Sequence, residues 1–259
     1  MSITLIVGLA PCVAFADAPT SLQAADVSLQ SSTVETLFGD NVDAQDYSTC
    51  GDTVKSYLTT CEGGYMRVQA GVEDKGVVVA YYDSNYRLLE RRVIPEELPL
   101  FGGFHETDEF YFLVTGKQNP KEKKGAEVFR VTKYDKNWNR LGAASLHGAN
   151  TTVPFNGGSC RMADADGYLV VRTCHRMCKT SEGLNHQSNV TILIDMQSMS
   201  ILDECTDVLN NDFGYVSHSF NQFVEFDGDR IVSVDHGDAH PRAIALMKYH
   251  DGLNGNLTV

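Results

Sequence analysis

The feature that most constrains this chain is an internal repeat of short apolar runs separated by Gly, Asp and Asn turns, because a repeat of this kind fixes how the strands must stack. One copy reads Leu100-Phe101-Gly102-Gly103-Phe104, then residues 110–114, 128–135 and 140–142. The next occupies 154–159, 168–172, 190–195 and 200–202, and a third occupies 215–220, 230–234 and 245–249. A partial copy, residues 77–83 and 87–89, precedes them. Gly103, Gly158 and His218 mark equivalent points at intervals of 55 and 60 residues (158 − 103 and 218 − 158). The runs are β-branched and aromatic, and no stripe of helical period interrupts them.

Four short strands per repeat point to a β-propeller-like series of four-stranded blades, since one such sheet cannot bury both faces until neighbours pack against it. The expected fold is all-β: about three blades plus a partial one, spanning 63–259. The last copy stops after its third strand, so the sequence reads as an incomplete propeller whose C-terminal continuation is missing. Asp166-Gly167 and Asp227-Gly228 supply the positive φ that tight hairpins need. The same aspartates resemble fragments of a calcium loop, but the further oxygen ligands and closing Glu of that loop are missing.

Ahead of the repeat, residues 1–16 read as a signal peptide: an apolar run from Ile3, then Ala14-Phe15-Ala16 as the small-residue cleavage site. The run is too short to span a bilayer, and no membrane span is expected. No basic residue precedes it, so its start is read as truncated. Residues 17–62, rich in Ser, Thr, Asp, Ala and Gln, read as a polar spacer. A secreted or cell-surface location follows. The net charge of −13 argues against nucleic acid as a partner, because a phosphate-binding surface needs Lys and Arg to displace counterions.

Removing the leader leaves six of the seven cysteines, Cys50, Cys61, Cys160, Cys174, Cys178 and Cys205, an even count that an oxidising compartment permits to pair. Cys50 with Cys61 is the local disulfide the spacing favours. Cys174, His175 and Cys178 could instead meet at a metal, but in an extended strand His175 faces away from the two thiols.

The strings Leu100-Phe101-Gly102-Gly103-Phe104, Tyr215-Val216-Ser217-His218-Ser219-Phe220-Asn221 and Val234-Asp235-His236-Gly237-Asp238-Ala239-His240-Pro241-Arg242 resemble those of uncharacterised, exported propeller-like surface proteins of anaerobic Gram-positive bacteria. That resemblance, covering about residues 63–252, implies export and fold; it brings no activity with it.

Chemistry in such a fold sits where repeat-equivalent residues form rings on a rim. Gly116, His175 and His236 follow the second strand of successive copies, 59 and 61 residues apart (175 − 116 and 236 − 175). His218 falls on the expected innermost strand, His186 in a loop, and Asp238, His240 and Arg242 in the loop after His236. Imidazoles, carboxylates and a guanidinium on one rim could hold an anionic ligand or perform acid–base chemistry. His175 and His236 would be the ligands of a divalent metal, although no cofactor is required. The Lys-rich stretch 117–124 reads as a solvated loop. The expected function is a binding module presenting its rim to an extracellular glycan, peptide or matrix ligand, with cell-wall attachment through the missing C-terminal region. The alternative is a propeller enzyme, a lyase or group transferase, acting on an anionic extracellular substrate.

Overall fold

The computed structural model describes residues 53–71, 76–211, 214–216, 219–237 and 244–249. The leader (1–16), residues 17–52 of the spacer with Cys50, and His218, Asp238, His240 and Arg242 lie outside the described residues. The described elements are all strands, and no helix is long and apolar enough to cross a membrane.

The chain divides into two compact units. The first holds an antiparallel meander of β1 (Ser56–Cys61), β2 (Gly64–Ala70), β3 (Gly76–Asp83) and β4 (Leu88–Pro95), paired in chain order. Two expectations change here. The partial copy is a complete four-stranded sheet, and that sheet begins at Ser56, inside the stretch whose composition reads as spacer. β1 escapes a reading by pattern because its largest apolar residue, Leu58, is 61% exposed and its neighbours are Ser, Thr and Tyr. Met66, Val68 and Val77 to Ala80 are the buried hydrophobic residues described in this unit.

The second unit repeats the arrangement. β5 (Leu100–Glu106), β6 (Phe110–Gly116), β7 (Glu127–Asp135) and β8 (Arg140–His147) form one four-stranded sheet in chain order. β10 (Arg161–Ala165), β11 (Tyr168–Met177), β12 (Gln187–Asp195) and β13 (Ser200–Cys205) form the next, with β9 (Thr151–Pro154) pairing the far end of β11. β14 (Leu209–Asn211) and β15 (Gly214–Val216) make a small ribbon, and β16 (Ser219–Asp227), β17 (Arg230–Gly237) and β18 (Ile244–Lys248) form a three-stranded sheet. These are tandem antiparallel blades, the propeller-like fold the repeat implies.

The middle strands are apolar on both faces because a sheet packs on either side. Along β11 and β12, Leu169, Val171, Val190, Ile192 and Ile194 join Phe112, Val114, Phe129 and Val131 in one core, while Val170 and Leu193 join Val224, Ile231 and Met247 in another. Alternation at period 2 therefore fills two cores from one strand, and the run reads as continuously hydrophobic.

The second copy departs from the sequence reading at its first strand. Beyond Pro154, which ends β9, residues 155–159 are not a strand: the innermost strand is β10, and the inner edge of β11 is shared between β9 and β10. The excursion exists because Phe155 turns to a positive φ of 59° and drives its ring against the preceding sheet, with Gly157 at 76° completing the bend. Glycine receives that ring: a Cβ on Gly102 would lie 2.4 Å from Phe155 Cζ, and one on Gly116 would lie 2.7 Å from Cε2. Gly102 is also the bulged residue in the β5–β6 pairing. In the third copy the innermost strand is β16, displaced toward the C-terminus from the expected 215–220.

A recurrent hairpin joins the last two strands of the three four-stranded meanders. Asp83 Oδ1 accepts the Asn85 and Arg87 amides (2.8 and 2.9 Å), and Asp135 Oδ1 accepts those of Asn137 and Asn139 (2.9 and 2.8 Å). Asp195 Oδ1 accepts the Ser198 amide at 2.7 Å. In each turn one large residue takes a left-handed backbone: Tyr86 (62°), Trp138 (65°) and Met199 (56°). Stacking offsets that strain, Tyr86 lying on Tyr65 with centroids 4.7 Å apart and Trp138 on Tyr111 at 4.6 Å.

Candidate functional site

His175, one of the expected rim histidines, is wholly buried rather than displayed at a rim. Its Nδ1 lies 2.6 Å from the Thr151 hydroxyl, which in turn lies 2.7 Å from the Ala149 carbonyl. Desolvation pushes the imidazole down to about 4, and the Thr206 backbone and Asp207 offset this only in part. The ring is thus neutral and serves as a brace beneath the loop that carries Thr151. His186 lies in the β11–β12 connection, 3.7 Å from Glu182. The backbone of His236 pairs with Ile244 in the β17–β18 ladder, so it too lies within a strand rather than past its end. His175 and His186 do not converge on a common point with other ionisable groups. Among the described residues, no group of three or more His, Cys, Asp or Glu side chains is placed to hold a metal ion.

Cys160 and Cys174 are buried thiols; burial holds Cys160 up at about 12, and Cys174 donates to the Asn156 carbonyl at 3.0 Å. Neither behaves as a nucleophile there. With Cys50 outside the described residues, the Cys50–Cys61 pairing is left as an expectation.

Two arrangements have the character of a site. The first is a groove of about 470 Å³ at one end of the second unit, lined by Asn119, Glu122, Lys123, Lys124, His147, Cys178 and the Gly148–Asn150 loop. The meander explains why they meet: the β6–β7, β8–β9 and β11–β12 connections all emerge at the same end of their sheets. Its walls are tied down. Asn119 clasps its own loop, accepting the Lys123 amide and donating to the Lys123 carbonyl (both 3.0 Å), while its backbone amide donates to Thr152 (2.8 Å). Opposite, Gly148, Ala149 and Asn150 take successive positive φ values of 66°, 44° and 48°. At Gly148 a Cβ would meet the Lys124 carbonyl at 2.5 Å, so only glycine permits the two loops to approach this closely. Glu122 is left-handed as well, at 52°. Backbone strain concentrated in this way at one cleft is characteristic of places where geometry serves a ligand. The Cys178 thiol is held up by desolvation and then by Glu122, so it stays protonated.

The second is an imidazole–carboxylate pair, His105 Nε2 and Asp164 Oδ1 at 2.6 Å, between the innermost strands β5 and β10. Both are half-buried, with side chains 20% and 30% exposed. They stand near the β5–β6 and β10–β11 hairpins, at the opposite end from the groove. Asp164 is thus engaged by His105 rather than free for a calcium loop, and Asp166-Gly167 forms the tight turn its sequence promises, at φ 49° and 87°.

Sequence reasoning missed both. The Lys-rich stretch was visible, but nothing in the sequence places it opposite Gly148–Asn150. The pair had a signal: 59 residues separate His105 and Asp164, one repeat, so they occupy equivalent positions on neighbouring strands.

No protein-family model matches the chain, and no curated protein matches it. Among solved structures, the catalytic domain of an α-L-arabinofuranosidase from Coprinopsis cinerea aligns with a TM-score of 0.38 at 5% identity, covering 78% of this chain and 75% of that one. A levansucrase mutant from B. megaterium aligns at 0.37 and 9% identity, over 76% of this chain and 64% of the other. An α-L-arabinofuranosidase from Lactobacillus brevis aligns at 0.32 and 10% identity, over 75% and 71%. The class assigned to the chain, tandem propeller-like blades, rests on its own strand order.

Proposed function

We propose that the chain is a ligand-binding module of the cell exterior that takes its ligand in the rim groove. The observation that carries this reading is the strained, clasped backbone around a cleft whose two lysine ammonium groups have no partner among the described residues. A volume of about 470 Å³ lies within the range of small-ligand sites, roughly 300–1,000 Å³. Binding needs no convergent acid and base, only a preformed shape with polar groups in place. The direct test is a panel of immobilised glycans and peptides probed with the full chain and with His147→Trp, which adds a large ring at an exposed lining position. Binding by the parent that the variant loses supports the reading; binding that the variant retains places the site elsewhere.

A second reading, an enzyme acting on an anionic extracellular substrate, is favoured by one observation, the His105–Asp164 pair. A carboxylate orienting an imidazole is the arrangement a general base requires. In that case His105→Ala and Asp164→Asn would each abolish product formation from polyuronates while leaving the unfolding midpoint within error. Unchanged turnover in both variants would exclude the pair from catalysis.

A further inference from the structure

Resting on the ligand-binding reading, we infer that the groove takes an acidic saccharide, holding its carboxylate or sulfate between Lys123, Lys124 and His147. Charge is the first argument. The chain carries a net −13, yet residues 117–124 include four lysines and one glutamate. Several cations elsewhere in the described residues are paired: Arg130 to Glu97 and Glu127, Arg140 to Glu97, Lys136 to Glu106, and Arg172 to Asp235. Lys123 and Lys124 have no such partner, although both line the groove. Glu122, which also lines the groove, keeps its negative charge while its Oε1 accepts the Lys179 amide at 3.0 Å, so one carboxylate stands against two ammonium groups. An anion entering the groove therefore meets an excess of positive over negative side chains in its lining.

The second argument is shape. Apart from His147, which ends β8, the lining residues belong to connections between strands. They offer no open strand edge with which a peptide backbone could pair, so an extended peptide would forgo the main-chain hydrogen bonds that usually supply its affinity. A compact ring bearing a carboxylate needs only the side chains present. The third argument is preorganisation. The Asn119 clasp, the Glu122–Lys179 contact and the bond from the Cys178 amide to the Asn150 carbonyl (2.9 Å) fix the loops before any ligand arrives. His175, through Thr151, supports the same loop from below and is a positioning residue.

The test is NMR titration of the ¹⁵N-labelled full chain with trigalacturonate, maltotriose and triglutamate at about 50 mM salt, where surface charge is weakly screened. Trigalacturonate should shift the amides of residues 119–124 and 147–150 and saturate, while the neutral trisaccharide and the peptide leave them in place. Lys123→Ala with Lys124→Ala should weaken that binding about tenfold, as should raising the salt, since two exposed charges together contribute about 1–2 kcal/mol. Equal binding of maltotriose at the same amides would overturn the acidic class and leave the groove standing as a binding site. Preferential binding of triglutamate there would replace saccharide with acidic peptide. Trigalacturonate shifts confined to other residues, or none at all, would overturn the inference outright. The Asn119 and His147 amide positions in the unliganded variant show whether the groove itself has survived the substitutions.

Discussion

At the scale of single residues, burial decides what the ionisable groups can do. His175 illustrates it. Unfolded, its ring takes a proton near the ordinary 6.5; folded, it does so only near 4. Between those values the unfolded chain binds the extra proton, so this contribution to stability is present above pH 6.5 and is lost as pH falls toward 4. Urea unfolding should show a loss of about 2 kcal/mol between pH 7.5 and pH 5 that His175→Gln removes. An identical pH slope in the variant would contradict the account. Arg172 and Asp235 form a fully buried ion pair at 2.5 Å, joined by Thr191 (2.6 Å) and the Tyr249 hydroxyl (3.1 Å). Asp235→Ala strands a guanidinium in the core and should cost about 3–5 kcal/mol, whereas Arg172→Met combined with Asp235→Leu should recover most of it. No recovery in the double variant would mean the pair itself, not the stranded charge, holds the sheets. The sequence named His175 as notable but not its role, since strand position alone does not say whether a side chain meets solvent or a neighbouring sheet. Arg172 was hidden in an apolar run.

At the scale of elements, strands with apolar residues on both faces were legible because their runs are continuous, as in residues 110–114, 168–172 and 190–195. The edge strand β1 was not: it alternates exposed and half-buried positions with few large apolar residues, which local pattern cannot separate from a loop, although 200–202 did mark β13. The hairpin at Asp166-Gly167 was read correctly because its turn chemistry is local, whereas at the second hairpin only Gly228 takes a positive φ and Asp227 closes the ladder opposite Arg230. Residues 155–159 were misread because the bend at Phe155 is set by a tertiary partner, the space left by Gly102 and Gly116. That contact has a measurable consequence. Gly102→Ala pushes a methyl into the Phe155 ring and should destabilise by about 1–3 kcal/mol, with Phe155→Leu relieving part of the loss in a double-mutant cycle. Strict additivity of the two changes would show that glycine serves the bulge alone.

For the whole molecule, the repeat gave the architecture, and the architecture brings chemically capable residues together at two opposite ends of the second unit. Fold alone does not say which end works. The groove was illegible in sequence because its lining comes from three connections far apart along the chain, and because left-handed Ala149 and Asn150 have no local signature as strong as glycine's. The central claim is that the molecule holds a ligand without converting it. The most direct measurement is isothermal titration of the full chain with trigalacturonate, followed by mass spectrometry of the ligand recovered after prolonged incubation. Saturable heat at one site with the trisaccharide returned intact is the expected result. A shortened or unsaturated trisaccharide would contradict the claim and move the function to the His105–Asp164 end.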